Sequence, residues 1–443
     1  MNRRTIRLAA MLSVFAIARA APAQPAPAGQ PSDSVTVSRQ EFEQLKRDHD
    51  EMKQEIQQLK KDQQTLKSDN DDAQQDNDTR IKVLQDAVAY DKPGKESFTV
   101  VGDASVGFTT QRKNASSFSA GVSPLMLWQL DDHMLVEAAF DIGIDTSPDD
   151  SGNPSSSTSF DLTIADLSYI INDNLTVGGG LFVVPFDAYH NHFDPPWITK
   201  LPDDPLPFAD NPIVPDHEVG IFARGSLPLN PLSKLTYDVY AANGPNLITN
   251  DPNAAGMLNY DDFTDQNNNK SVGGRIAWLP APNIEMGYSI LEASVNPRGF
   301  PTTFALLNGV DLNIRQQVDP LQGMFDFQTE WVWNDVRKQT YDPTGANSFG
   351  PLRYSNFSQG GYVQLSYRPN RLSAPIKDLE FVARYDMLNT PLAVGNGNHE
   401  KRYTFGVDYW IRPNVVLKAA YEFDDKLVGP SENAFLVQCG IGL

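Results

Sequence analysis

Charged and aromatic side chains are concentrated in a proline-rich stretch that begins after residue 186. They are Asp187, His190, His192, Asp194, Trp197, Lys200, Asp203, Asp204 and Asp210. Carboxylates placed around an opening attract cations, so this stretch could set the ion selectivity of a channel. Proline restricts the backbone and removes a hydrogen-bond donor, which predicts a stiff loop at this point rather than a strand.

The two histidines of this loop could also bind a metal ion together with the flanking aspartates. Histidines two positions apart in a proline-rich loop more often form hydrogen bonds within the loop, and we assign no metal. Residues 265–269 open like a calcium-binding loop, but Lys270 stands where such a loop needs glycine. The sequence contains neither a nucleophile elbow nor a phosphate-binding or dinucleotide-binding motif. We therefore predict no enzyme activity and no cofactor.

A second set of charged side chains is basic and dispersed over the second half of the chain. It comprises Arg224, Arg275, Arg315, Arg368, Arg384, Arg402 and Lys418. A ladder of such side chains along a channel would bind phosphate or other anions. An equally good interpretation is that these charges pair across the lumen with acids such as Glu137 and Asp141.

Both sets of charges must be positioned by β-strands, because apolar and polar residues alternate from residue 95 onward. In 402–411, for example, Tyr403 and Phe405 lie between polar neighbours. Strand side chains point alternately to the two faces of a sheet, so one face is apolar and the other polar. We count sixteen segments of this kind, including 322–335 and 357–369.

The connections between these segments alternate between short turns and long loops, among them 145–157 and 244–269. An even number of strands with long loops at one rim is the arrangement of an outer-membrane barrel. We predict an all-β fold: a 16-stranded antiparallel transmembrane β-barrel over 95–443, preceded by an α-helical coiled coil. Within it, the loop 187–214 folds inward and narrows the channel. A soluble β-sandwich also alternates and is the competing interpretation.

The N-terminal part of the chain has a different organisation. A basic start, an apolar run and small residues at a cleavage position predict a secretory signal peptide over 1–23. Residues 24–37 are a Pro/Ala-rich linker. Apolar residues then recur in heptads over 38–90, with Leu45 and Leu59 at d positions, which predicts a self-associating coiled coil in the periplasm.

Composition narrows the classes of partner. The chain has 443 residues and a formal net charge of −20. This charge argues against nucleic acid as a partner, because phosphate contacts need clustered lysine and arginine. The single cysteine, Cys439, permits no internal disulfide.

Three segments of the barrel region carry a resemblance to a known family. They read GGGLFVVPF over 178–186, EVGI over 218–221 and LTYDVYAANG over 235–244. They resemble the phosphate-selective porin family of bacterial outer membranes. The resemblance implies a sixteen-stranded homotrimeric channel in outer-membrane lipid, constricted by its third outer loop and selective for phosphate or other anions. The acidic loop instead favours a weak cation preference, so the residues leave the selectivity open.

Two functions are compatible with this organisation. The first is passive diffusion of small hydrophilic solutes or ions through a trimeric porin. The alternative is a structural tether, in which the periplasmic coiled coil contacts the cell wall and conduction is incidental. Deleting 38–90 separates the two, since a tether would lose envelope integrity while its conductance stayed intact.

Overall fold

The computed structural model describes residues 96–111, 116–146, 155–209, 213–248, 256–260, 263–265, 268–298, 302–341, 352–390, 398–427, 431 and 433–443, with six isolated positions between 46 and 61. The chain divides into two compact units, Met1–Tyr90 and Asp91–Leu443. The signal peptide, the linker and nearly all of the predicted coiled coil lie outside the described residues. None of the described helices is long and apolar enough to cross a membrane.

The second unit is built from long strands and two very short ones. The strands are β1 Ser97–Gln111, β2 Ser117–Gln129, β3 Met134–Thr146, β4 Ser157–Asn172, β5 Leu175–Val183, β6 His217–Pro228, β7 Lys234–Ala242, β8 Asn246–Leu247, β9 Leu258–Asn259, β10 Ser271–Ala281, β11 Ile284–Ser294, β12 Phe304–Val318, β13 Gly323–Tyr341, β14 Leu352–Arg368, β15 Leu379–Thr390, β16 Asn398–Arg412, β17 Val415–Lys426 and β18 Ala434–Gly442.

Sixteen of these strands form one closed antiparallel barrel. Each long strand pairs with the next long strand along the chain, and β1 pairs with β18 to close the ring. The closing register sets Ser105 opposite Gly440. The strands β8 and β9 stay outside the ring and pair only with each other. The predicted sixteen-stranded barrel is confirmed, and the β-sandwich interpretation is wrong because a single sheet closes on itself.

The exposure of apolar and polar side chains on the barrel wall is the reverse of that in a water-soluble sheet. On β16 the apolar side chains of Tyr403, Phe405 and Val407 are 47%, 55% and 42% exposed, whereas Thr404 and Asp408 are 0% and 1% exposed. Apolar residues therefore cover the outside and polar residues point inward. A water-soluble sheet would bury its apolar face, so this distribution fits an apolar solvent outside the barrel.

The hairpin β13–β14 is longer than the alternation predicts. Its strands run to Tyr341 and start again at Leu352, although the pattern places their ends at 335 and 357. The register shifts between Val336 and Gln339. A β-bulge of this kind disrupts the side-chain alternation by which a strand is recognised in sequence.

Candidate functional site

The segment between β5 and β6 starts with a short helix, Ala188–His192, that is fixed from across the barrel. The Asp187 side chain caps it by accepting a hydrogen bond from the His190 backbone N–H at 2.6 Å. The carboxylate of Glu330 on β13 accepts the backbone N–H of Ala188 at 3.0 Å. Carboxylates satisfy the N–H groups that a helix leaves unpaired at its start. The barrel wall thus sets the position of the helix.

The same segment reaches strands on widely separated parts of the ring. The His192 ring nitrogen Nε2 lies 3.8 Å from the Glu285 carboxylate on β11. Gln438 on β18 donates a hydrogen bond to the Pro202 carbonyl oxygen at 3.3 Å. One loop can contact β11, β13 and β18 only from inside the closed ring. The segment therefore lies in the lumen.

A cluster of charges holds the loop at Asp203. Its carboxylate oxygen Oδ2 is 2.5 Å from Arg384 Nη2 and 2.7 Å from Arg402 Nη2. Arg384 Nε is also 3.0 Å from the buried carboxylate of Asp386. Burial alone would raise the pKa of Asp203, but the two guanidinium groups outweigh it and hold that pKa at about 2. Asp203 is therefore ionised in any ordinary buffer.

The two predicted lysines also act as anchors between the loop and the wall. Lys200 on the loop lies 2.9 Å from the Glu380 carboxylate on β15. Lys418 on β17 is fully buried and donates a hydrogen bond to Thr199 Oγ1 at 2.5 Å. Buried lysines need such partners, because an unpaired buried ammonium group is costly.

The imidazole of His190 is another buried anchor. Its ring nitrogen Nδ1 lies 2.9 Å from Asp187 Oδ2, and Asp187 is 0% exposed. Burial lowers the pKa of His190, but the carboxylates of Asp187, Asp216 and Asp194 together more than offset this and raise the pKa well above its usual value. This pair therefore stabilises the first turn of the loop as an ion pair.

Beneath these charges the loop forms an apolar core inside the barrel. The buried side chains of Val184, Phe186 and Phe208 belong to a cluster that includes Tyr362 on β14 and Val332 on β13. Interior packing of this kind stabilises the loop through buried apolar area. The lumen beside β13 and β14 is accordingly filled with protein.

A second loop completes this core, and the sequence analysis did not foresee it. Leu247 and Leu258, on the two short strands β8 and β9, belong to the same apolar cluster. Tyr260 donates a hydrogen bond to the Ile213 carbonyl oxygen at 2.9 Å and accepts one from Asn334 at 3.2 Å. We refer to the described residues of 184–216 and 246–260 together as the plug. Apolar residues in an otherwise polar loop were the one signal of the second segment.

The remaining predicted loop residues have different environments. His192 and Asp194 are exposed. Trp197 packs beside the last strand, where a Cβ added to Gly442 would lie 2.7 Å from its ring. Asp204 accepts a hydrogen bond from the Tyr189 hydroxyl at 2.5 Å. Asp210 lies outside the described residues.

The predicted basic residues do not form one ladder. Arg275 is buried, with its Nη2 atom 2.8 Å from both Asp311 and Glu285. Arg384, Arg402 and Lys418 lie under the plug, as described above. Arg224 is exposed on β6 and lines a cavity together with Arg275. Arg315 and Arg368 line a second cavity.

That cavity opens near the rim of short turns and has a volume of about 630 Å³. Its lining includes Lys200, Trp197 and Trp410 besides the two arginines. The Arg368 guanidinium lies over the Trp410 ring at 5.1 Å, a cation–π contact that restricts its movement. Four of the residues predicted from sequence thus share this cavity.

The plug leaves part of the inner face of β1–β4 uncovered, although Ala139, Asp166 and Ser168 on that face are buried. A Cβ added to Gly107, Gly121 or Gly143 would meet only atoms of neighbouring strands. A Cβ added to Gly406 or Gly440, by contrast, would meet the plug residues Leu201 or Pro196 at 2.5 and 2.3 Å.

This uncovered wall is acidic. Asp141 on β3 is the register partner of Asp161 on β4, and Glu137 is the partner of Asp166. Within the described residues 96–172 there is no lysine or arginine. No group of three or more histidine, cysteine or acidic side chains suited to holding a metal ion occurs in the described part of the chain.

Comparison with known proteins identifies the fold. No protein-family model matches the chain, and no curated protein matches it by sequence. The structure of Salmonella typhi OmpF in complex with daunomycin is similar with a TM-score of 0.51 at 11% identity, over 78% of this chain and 97% of that chain. Pseudomonas putida OprB gives 0.47 at 10% identity, over 82% and 96% of the two chains. At such identities the likeness to OmpF shows the barrel fold alone.

Proposed function

We propose that the chain is a porin of the bacterial outer membrane that allows small hydrophilic solutes and ions to diffuse passively. The observation that carries this proposal is the polar inner wall of β1–β4, on which Asp141 and Asp161 are exposed and the plug does not reach Gly107, Gly121 or Gly143. A polar, partly exposed surface inside a barrel with an apolar exterior is suited to a water-filled path. The proposal takes residues 187–214 as the segment that narrows this path.

The proposal includes the assembly and the location of the protein. The signal peptide over 1–23 would direct export, and the coiled coil over 38–90 would hold three chains together. The short turns and the N-terminus would then face the periplasm, and the long loops the outside. The resemblance to phosphate-selective porins favours the same layout.

Single-channel recording of the purified mature chain in a planar lipid bilayer tests the function. We expect stepwise conductance, with steps grouped in threes if each unit is a trimer. A folded and inserted protein without conductance would contradict the proposal, and it would favour the structural tether instead.

A further inference from the structure

The acidic residues of the β1–β4 wall are arranged as direct cross-strand pairs. Asp141 and Asp161 are opposite each other, and Glu137 is opposite Asp166. Asp103 on β1 interacts electrostatically with Asp141. Like charges directly opposite in a sheet are destabilising. Cations that pass along this wall would offset the electrostatic repulsion between the paired carboxylates, which explains why several such pairs occur on one wall.

Within its described residues, the wall itself carries no basic side chain that would neutralise its acids. Asp141 and Asp161 are exposed, and the described parts of β1–β4 carry no lysine or arginine. The described cation that interacts with Asp166 is Arg224, on the inner face of β6. The plug adds an acid, because exposed Asp194 interacts electrostatically with Asp141. The open path is therefore acidic on the wall side and on the plug side.

Asp166 gives an independent indication that this wall serves a ligand. It is 6% exposed, and its oxygen Oδ1 has no hydrogen-bond partner among the described residues. Buried carboxylate oxygens are normally paired, and each one left without a partner costs free energy. Asp166 is the register partner of Glu137 on the same inner face, and a cation or water molecule that enters between these two carboxylates would supply the partner that its buried oxygen lacks.

Two of the acids that the sequence analysis placed in the constriction loop, Asp187 and Asp203, cannot fill this role. Asp203 lies between two guanidinium groups, and Asp187 is fully buried against His190. Their charges are balanced inside the plug and are shielded from the open path. Among the acids of that predicted set in the described structure, Asp194 and Asp204 are exposed, and Asp204 accepts a hydrogen bond from the Tyr189 hydroxyl.

We propose that the acids of the β1–β4 wall, chiefly Asp103, Asp141 and Asp161, make the pore selective for small cations, including organic ammonium ions. This inference rests on the proposed porin function and names its solute class. Selectivity comes from fixed carboxylates along one side of the path, which raise the local concentration of cations and lower that of anions. The anion selectivity implied by the family resemblance is then absent here.

The test is the reversal potential of the purified mature chain in a planar bilayer under a potassium chloride gradient. We expect the wild-type protein to prefer K⁺ over Cl⁻. The triple substitution Asp103→Asn, Asp141→Asn and Asp161→Asn should lower the permeability ratio about fivefold, the factor that corresponds to one screened contact of about 1 kcal/mol. The double substitution Asp141→Lys and Asp161→Lys should reverse the preference.

A control removes two acids from the turns at the rim, through Asp132→Asn and Asp319→Asn. These residues are exposed and lie outside the lumen wall, so the permeability ratio should hardly change. A conducting wild type that prefers anions would overturn the inference, as would a conducting triple variant with unchanged selectivity. Absence of any conductance would overturn the porin function itself, and the inference with it.

Uptake of organic solutes into vesicles provides a second readout. Liposomes that contain the wild-type protein should swell faster in lysine than in glutamate, and the triple variant should lose this difference. Equal swelling rates in the wild type would contradict a role for the wall in the passage of organic ammonium ions.

Discussion

Asp203 connects the plug to the barrel wall through two arginines that are distant in sequence. Arg384 lies 181 positions along the chain from it, and the three charged groups are largely buried. A carboxylate in this position cancels the repulsion between two neighbouring guanidinium groups. Its removal leaves the two buried guanidinium groups to share Asp386 as their nearest carboxylate, and breaking a buried ion-pair network in this way is among the costliest single changes.

We therefore predict that Asp203→Asn lowers the free energy of unfolding by about 3 kcal/mol or more. Thermal unfolding in detergent measures the loss, and protease cleavage within 187–209 reports release of the plug. The matched control is Asp319→Asn, which removes an exposed partner of Arg371 at the rim. A surface pair is worth about 0–1 kcal/mol, so equal effects of the two substitutions would contradict the role of Asp203.

The same residue predicts how the plug responds to acid. Its pKa of about 2 in the folded protein lies below the ordinary value of 3.8. The contribution of the ionised group to stability is therefore complete above pH 3.8 and is lost as the pH falls through about 2. We expect protease cleavage of the plug to increase over that interval in the wild type. In the Asp203→Asn variant, protease cleavage of the plug should not increase as the pH falls. An increase in cleavage that remains in this variant would mean that other carboxylates cause it.

The sequence could not predict which charged residues line the open path and which are buried in contacts with the plug. The proline-rich loop and the inward-facing basic residues could both be located, because composition and strand alternation are local properties. Whether Arg384 lines the path or supports the plug depends on a partner in a distant part of the chain. Asp203 and Asp194 are alike in sequence terms, yet one is buried between arginines and the other is exposed.

At the level of the strands, inward-facing glycines leave the space that the plug occupies. At Gly440 on β18 an added Cβ would be 2.3 Å from the Pro196 carbonyl oxygen. At Gly121 on β2 the nearest atom would be 3.6 Å away, in ordinary contact with Ile142. Because Gly440 has no side chain, the plug can pack directly against β18. Gly121 also has no side chain, but the space beside it is not filled by the plug.

We predict opposite results for alanine at these two glycines. Gly440→Ala must displace the plug near Pro196 and should cost about 1–3 kcal/mol of stability, as overpacking does. Gly121→Ala should leave the thermal unfolding temperature unchanged or slightly higher, since glycine in a strand is entropically unfavourable. Thermal unfolding distinguishes the two. If both variants were destabilised equally, the plug would not pack against Gly440.

The alternation of apolar and polar residues was sufficient to predict the barrel strands but not the two short strands of the plug. Period-two alternation needs four or more residues to be recognised, and β8 and β9 have two residues each. Their apolar residues are buried by contacts with the first loop, which no local pattern encodes. The extension of β13 and β14 was missed for a related reason, since the bulge interrupts the alternation.

On the scale of the whole molecule, the predicted coiled coil over 38–90 is the segment whose role would distinguish a trimeric porin from a tether. We predict that replacing Leu45 and Leu59 with aspartate abolishes trimers while each barrel still conducts, because charge at d positions prevents helix association. Native mass spectrometry of the purified protein measures the assembly. A full-length variant is preferable to a deletion, since it keeps the length of the segment.

A matched control places the same charge at outward-facing heptad positions, through Gln54→Asp and Gln64→Asp, and should leave trimers intact. Trimers that persist in the Leu45 and Leu59 variant would show that the coil does not hold the chains together. If envelope integrity is then lost with conductance intact, the tether is the better account of this segment.

The plug also constrains the order in which the chain can fold. Residues 184–216 are synthesised before β13–β18, yet they depend on those later strands for Glu330, Arg384, Arg402 and Lys418. The apolar cluster of the plug is also incomplete until the C-terminal half is made, because Val332, Tyr362 and Leu388 belong to it. Contacts between residues so far apart in sequence slow folding, and the intermediates expose apolar surface and are prone to aggregate. Ring closure and plug packing are consequently coupled late steps, and a nascent chain must be kept from aggregating until both are complete.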